Sequence, residues 1–353
     1  MAKNDKSYHA IKDKEQIIKL NELLKELPRF CTTFFRGIEP TTAPSTRLGY
    51  AYDLRIFFNY IKENNPIYSD KDINQIDLSL FNHLTSVDIE DYLHYLQMYY
   101  KDDIEYMNKE QGVKRKFSAL RMLYNYLYCH DMIDENPASK VTAPKLRTKE
   151  ITRLDPNEVA DMLDQVESGA KLTKKQKESH EKTKVRDVAL LTLLLGTGIR
   201  VSECVGLDVN DVDFDNGCIK IVRKGHKEAI VYFGDEVEEA LKQYIEQRVE
   251  VFKPIESDIN ALFISSKHTR MSVRAVELLV KKYSMLTTTV KHITPHKLRS
   301  TYGTQLYKET GDIYLVADVL GHKDVNTTKK HYAAIDDERR LKIRNAVQLR
   351  EKK

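Results

Sequence analysis

The sequence predicts a mainly α fold with a small β-sheet, arranged as an N-terminal helical bundle followed by a mixed α/β domain. Three observations lead there. The chain has 353 residues, more than one ordinary core accommodates, so two domains are expected. Apolar residues recur at helical spacing through most of its length. Period-two alternation is confined to a short region around 218–233, where it flanks a tight turn.

Residues 1–44 read as a helical extension, with Ile17, Ile18, Leu20, Leu23, Leu24 and Leu27 at helical spacing up to Pro28. Beyond an N-cap at Ser45, residues 46–61 set Leu48, Ala51, Leu54, Phe57, Phe58 and Ile61 along one stripe. A second helix starts at 86–88 and a third spans 112–130, so a helical bundle is expected over 45–138. The third helix carries Lys114, Arg115, Lys116, Ser118 and Arg121 near its start, beside an apolar face of Leu120, Leu123, Tyr124 and Leu127. A basic, hydroxyl-bearing edge on a rigid helix suits contacts with phosphates, although a lone basic cluster is more often a solvated face. Asn136-Pro137 ends the bundle, and the basic, proline-containing stretch 139–152 reads as a linker.

The second domain is expected over 153–335. A helix starts at Asp155-Pro156. The lysine-rich, apolar-poor stretch 167–184 is expected to be a mobile surface loop. Residues 188–195 form a buried helix ended by Gly196-Thr197-Gly198, a turn that aims Arg200. This G-x-G is not a dinucleotide fingerprint, because it follows a helix and lacks the third glycine. Residues 218–223 and 229–233 pair as a β-hairpin with Lys224 at its tip. A helix over 235–251, a short strand at 262–264 and a helix over 272–285 follow. Thr294-Pro295 then supplies an N-cap and a first-turn proline, and His296 and Arg299 lie three residues apart on one helical face. Leu315, Val316, Val319 and Leu320 continue as a helix stopped by Gly321, so His322 begins a new direction. Tyr332 lies one helix later, and 336–353 reads as an amphipathic helical tail.

Composition excludes several classes. The cysteines Cys31, Cys129, Cys204 and Cys218 are scattered without a C-x-x-C pair, which suggests neither a zinc site nor a disulfide framework, only reduced, half-buried fillers. His226 and His292 have no partner at metal-ligand spacing, and His331 points away from its neighbour Tyr332 on a helix, so no metal is expected. The longest apolar run falls far short of a membrane span, and the N-terminus begins with Lys and Asp rather than a signal segment. A cytoplasmic protein without a membrane anchor is expected. With 57 Lys plus Arg against 53 Asp plus Glu, the net charge of +4 names no partner; clustering of the charge carries more information than its sum.

Taken singly, each polar candidate in the second domain has a structural explanation: a surface ion pair, a solvated lysine, a satisfied histidine, a core tyrosine. Together Arg200, Lys224, His296, Arg299, His322 and Tyr332 make a cationic set with no paired acids and no metal spacing. Such a set is built for an anion, and phosphate is the natural ligand. A tyrosine nucleophile beside it makes the chemistry phosphoryl transfer through a covalent intermediate, with arginines neutralising the non-bridging oxygens and lysine or histidine moving protons.

The order and wording of these motifs resemble the tyrosine recombinase/phage integrase family. G-T-G-I-R-V-S-E at 196–203 is similar to its first arginine box, V-R-K-G-H-K at 222–227 to its hairpin lysine, T-P-H-K-L-R at 294–299 to its H-x-x-R box, and L-G-H-K-D-V-N-T-T at 320–328 to its last histidine box. S-A-L-R-M-L-Y-N-Y-L at 118–127 resembles its N-terminal core-binding domain. The likeness covers roughly 45–335 and is strongest to Xer-type recombinases. Tyr332 follows His322 one residue later than is common in Xer-type members, and Ser300 stands where the family often has histidine.

The resemblance implies a SAM-like core-binding bundle and a catalytic domain that close around double-stranded DNA at a pseudo-palindromic site, working as a synaptic tetramer of one chain without a cofactor. It implies that Arg200 and Arg299 clamp the scissile phosphate, Lys224 protonates the leaving 5′ oxygen, His296 assists proton transfer, His322 hydrogen-bonds the phosphate and Tyr332 attacks. Chromosome dimer resolution and mobile-element integration or excision are the corresponding tasks, with accessory proteins as further partners and the tail docking on its own domain or on a neighbouring subunit. The rival readings are a catalytically inactive DNA-binding protein on the same scaffold and a type IB topoisomerase that relaxes single duplexes.

Overall fold

The structure, a computed structural model, describes residues 7–101, 104–146, 152–223, 225–322 and 325. Its chain divides into two units, Met1–Lys149 and Glu150–Lys353. Lys224, Tyr332, the tail 336–353 and part of the expected linker lie outside the described residues.

The first unit contains α1 (Tyr8–Leu24), α2 (Arg29–Ile38), α3 (Pro44–Asn64), α4 (Leu80–His83), α5 (Ser86–Tyr95), a hairpin of β1 (Met98–Lys101) and β2 (Ile104–Met107), and α6 (Glu110–Cys129). Leu20, Leu23, Leu27, Cys31 and Phe34 from the first two helices and their connection share one core with Leu54, Phe57 and Phe58 of α3 and Leu120, Leu123 and Leu127 of α6. Aromatic side chains fill much of it in edge-to-face pairs, among them Phe57 with Tyr92 and Phe81 with Tyr124. Gly37 in α2 is needed for this packing, because a Cβ there would collide with the Tyr126 ring. The β1–β2 hairpin has no counterpart in the sequence reading. Its strands are four residues each, too short and too polar at the tip to show alternation, and the Tyr99–Tyr106 stack at 5.5 Å links them.

The second unit contains α7 (Pro156–Ser168), α8 (Lys174–Thr197), α9 (Val201–Gly206), β3 (Val212–Asp213), β4 (Cys218–Arg223), β5 (Lys227–Tyr232), α10 (Asp235–Phe252), α11 (Val273–Thr287), α12 (Pro295–Thr310) and α13 (Ile313–Leu320). The expected central helix is α8. Its Ala189, Leu190, Leu191, Leu193 and Leu194 are fully buried, each leucine contributing roughly 1.5–3 kcal/mol, and it packs against α7, α10 and α12. The three-stranded sheet is antiparallel in the order β3-β4-β5, and β4 has the bounds expected for it.

Three expectations are corrected. The stretch 167–184 is not a loop: α7 runs to Ser168, Gly169 turns the chain at a φ of 62°, and α8 begins at Lys174 behind a Thr173 N-cap. Its few apolar residues misled because the face it buries is polar. His180, Thr183, Arg186 and Asp187 are all buried, with His180 Nδ1 3.0 Å from the Tyr283 hydroxyl and Arg186 bonded to Asp187 and to the Ile264 carbonyl. These partners permit such burial, although His180 Nε2 is buried without one among the described residues. The strand expected at 262–264 does not form: the segment makes only single antiparallel bridges, Asp208 with Ala261 and Ile264 with Arg270. The buried Arg248 guanidinium takes the carbonyls of Ala261 and Leu262, while the Leu262 N–H goes to the Leu207 carbonyl and the Phe263 carbonyl receives the Met271 N–H. The cysteines also differ from half-buried fillers: Cys31, Cys204 and Cys218 are buried and Cys129 is exposed, and burial pushes the Cys31 and Cys204 thiols far above their usual range. Among the described residues no helix is long and apolar enough to cross a membrane.

Candidate active site

Arg200 stands at the N-cap of α9, aimed there by Gly198. That glycine caps α8 at a φ of 63°, and a side chain on it would strike the Tyr302 ring, so glycine is required both for the turn and for the close approach. Arg200 is held by Glu203, which lies three residues on and is 3% exposed. One Glu203 oxygen receives the Arg200 backbone N–H at 2.7 Å and the other receives Nη1 at 2.8 Å. The carboxylate fixes both ends of the arginine. Arg200 Nη2 donates to the Gly321 carbonyl at 3.3 Å, and its side chain stays 37% exposed, reachable by a ligand.

Arg299 lies in α12, which starts at Thr294-Pro295 as the sequence indicates. It is 5% exposed. Nη1 donates to the Gly198 carbonyl at 2.6 Å and Nη2 to the Leu320 carbonyl. His296 sits in the first turn of the same helix, exposed, and its carbonyl receives the Ser300 hydroxyl at 3.0 Å. Ser300 thus closes a local helix bond.

The feature that joins these groups is the C-terminus of α13. This helix is seated on α12 by Val316 and Leu320 against Tyr307 and ends at Gly321, with a φ of 60°. Its last carbonyls carry the negative end of the helix dipole, and of them Asp318 receives the Gly321 N–H at 2.8 Å. Among the described residues, three arginines take them up: Arg223 at Asp318 and Val319, Arg299 at Leu320 and Arg200 at Gly321. His322 follows directly, half-buried, its N–H bonded to the Ala317 carbonyl at 2.9 Å. Residues distant in sequence, Arg200, Arg299 and the backbone of His322, are therefore brought to one place, with His296 one turn from Arg299. The structure describes neither Lys224 nor Tyr332, but Arg223, the neighbour of Lys224, is in the cluster.

Sequence reasoning missed Glu203 and Arg223. Glu203 had a signal: it occupies the third position after an N-cap, where a carboxylate reaches back to the cap N–H. Arg223 had none, since nothing local shows that a strand end meets a helix end about a hundred residues later. Among the described residues no group of three or more His, Cys, Asp or Glu is arranged to hold a metal ion.

The basic edge in the first unit is divided by the structure. Lys114, Ser118 and Arg121 are exposed on α6 at positions that share one helical face. Arg115 is tied to the buried Asp53 at 2.5 Å. Lys116 is buried and donates to Asn108 Oδ1 at 2.7 Å; burial lowers its pKa, partly offset by Asp53.

A helical unit followed by an α/β unit thus sets two arginines, one buried and one open to solvent, on one helix terminus, a cationic arrangement suited to an anion. This chain belongs to the phage integrase family, whose description it matches over residues 152–339. It is 31% identical over 353 residues to the tyrosine recombinase XerC of Caldanaerobacter subterraneus subsp. tengcongensis, covering 96% of this chain and 91% of that protein. It is 30% identical over 334 residues to the tyrosine recombinase XerS of Streptococcus pyogenes serotype M12, covering 85% and 92%. The fold is similar to that of XerH recombinase bound to a palindromic difH substrate in a post-cleavage complex, with a TM-score of 0.64 at 19% identity over 96% of this chain and 90% of that one. A λ integrase dimer bound to a core site gives a TM-score of 0.59 at 14% identity over 86% and 94%.

Proposed function

We propose that this chain is a Xer-type site-specific DNA recombinase that cleaves and rejoins duplex DNA through a 3′-phosphotyrosyl intermediate. The observation that carries the reading is the convergence of Arg200 and Arg299 on the helix end that leads into His322. Two guanidiniums fixed by a buried carboxylate and by backbone carbonyls are preorganised donors for one phosphodiester.

In this reading the Tyr332 hydroxyl attacks the scissile phosphorus as the bond to the 5′ oxygen breaks. His296 helps take the tyrosine proton, Arg200, Arg299 and His322 hold the non-bridging oxygens, and Lys224 gives a proton to the departing 5′ oxygen. One phosphoester bond replaces another, so a second 5′-hydroxyl can reverse the step without ATP. The partner is double-stranded DNA with a pseudo-palindromic site, bound by several copies of the chain as a synaptic tetramer. Residues 45–138 form the core-binding domain, with Lys114, Ser118 and Arg121 on phosphates, 139–152 the linker and 153–335 the catalytic domain. Work on chromosomal or mobile-element DNA places the protein in the cytoplasm.

A duplex nicked next to the cleavage site tests this directly, since the short 5′ fragment diffuses away and traps the intermediate. In EDTA the wild type should accumulate a covalent adduct and Tyr332→Phe should form none; an adduct with Tyr332→Phe would reject this nucleophile. Strand exchange between two sites, rather than relaxation of one supercoiled circle alone, completes the assignment.

A further inference from the structure

The reaction as described makes no use of Arg223, yet the structure holds this side chain as firmly as the two phosphate-gripping arginines. Arg223 is the last residue of β4, opposite Lys227 across the hairpin. Its Nη2 donates to the Val319 carbonyl at 2.8 Å and its Nη1 to the Asp318 carbonyl at 3.4 Å. The guanidinium lies flat against Gly321, where any Cβ would collide with it. Its Nε is buried without a hydrogen-bond partner among the described residues, a cost that the bonds to the helix end must offset.

This arginine joins two segments that both end at reacting groups. Lys224 is the next residue after Arg223, and His322 is the next after Gly321. A lysine side chain in general is long and has many rotamers. Proton donation to one oxygen requires that this lysine be presented from a fixed backbone. We propose that Arg223 is a positioning residue for the proton-donating lysine, anchoring the β4–β5 hairpin to the α13 C-terminus so that Lys224 is set against the phosphate held by Arg200 and Arg299. Gly321 is the seat that admits it. The proposal rests on Lys224 as the proton donor, and its test separates the two ideas.

The test is single-turnover cleavage of nicked DNA with either oxygen or sulfur at the 5′-bridging position. When the phosphorus–sulfur bond breaks, the electron pair leaves on a thiolate that needs no proton, so loss of the donor stops mattering. Arg223→Ala should cleave oxygen DNA roughly 10- to 100-fold more slowly than wild type and recover to within about threefold of wild type on sulfur DNA. Lys224→Ala should also recover, Gly321→Ala should behave as Arg223→Ala, and Arg299→Ala should stay slow on both. Recovery on sulfur itself shows that a variant is folded and binds DNA. If Lys224→Ala recovers and Arg223→Ala does not, or if Arg223→Ala cleaves oxygen DNA at the wild-type rate, the positioning role is wrong. If Lys224→Ala also stays slow on sulfur, the donor assignment falls and the proposal with it.

Discussion

Replacing Glu203 with glutamine keeps the shape of the side chain and removes its charge, which isolates what the buried carboxylate does for Arg200. It now receives two bonds, from the Arg200 backbone N–H at 2.7 Å and from Nη1 at 2.8 Å. Glutamine offers one carbonyl oxygen for both and turns an NH2 group toward one donor. A hydrogen bond to a charged group contributes about 1.5–3 kcal/mol, and breaking a fully buried pair costs about 3–5 kcal/mol. Because Arg200 is 37% exposed, solvent screens the pair, and the loss of stability should fall near the low end, about 1–2 kcal/mol. For a unit of this size that lowers Tm by roughly 2–8 °C. The effect on catalysis should be larger than the effect on folding. A guanidinium free to swing by about 1 Å loses roughly 100-fold in rate, so Glu203→Gln should slow adduct formation on nicked DNA by about 10- to 100-fold with little change in DNA affinity. In a double-mutant cycle, adding Glu203→Gln to Arg200→Ala should cost almost nothing more in rate, since the carboxylate acts through the arginine. Fully additive rate losses, or wild-type cleavage by the single variant, would refute the strut role.

The remaining predictions concern protons and charge elsewhere. Burial, and secondarily the Lys282 charge, holds the His180 pKa below its ordinary 6.5. The unfolded chain therefore binds this proton first on acidification, and stability should fall as pH drops below about 6.5, levelling once the folded pKa is passed; denaturant unfolding of His180→Gln should show a flatter slope over that range. DNA binding should weaken steeply with salt. Lys114→Ala should reduce the logarithmic salt slope by about one, whereas Lys116→Ala should lower Tm and leave that slope unchanged, because Lys116 bonds Asn108 inside the unit. Equal effects of the two lysines on the salt slope would show that burial does not divide this edge.

Much of the fold was legible because its signals are local. Thr294-Pro295, Gly198, Gly321 and the 218–223 alternation each state a boundary through backbone chemistry, and α12, α8, α13 and β4 begin or end there. The stretch 174–184 was misread because helical burial is normally announced by apolar residues, and here the buried His180 and Thr183 instead bond Tyr283, far along the chain, and Asp187. The basic edge on α6 was legible as a cluster but not in its division, since the inward turn of Lys116 depends on Asn108 and Asp53. The candidate site followed the same rule. Arg200, His296, Arg299 and His322 sit beside turn and cap signals, while the partnership of Arg223 with α13 is purely tertiary.

The α13 C-terminus has one further consequence. The last three carbonyls of an eight-residue helix and that of its capping glycine are shared among side chains from three separate segments. Displacing that short helix by a single turn would withdraw acceptors from all three guanidiniums at once, leaving Arg200 to Glu203 and Arg299 to the Gly198 carbonyl. The seating of α13 is therefore shared structural support for three side chains drawn from three segments, and a substitution that loosens its contact with α12 should be felt at all three.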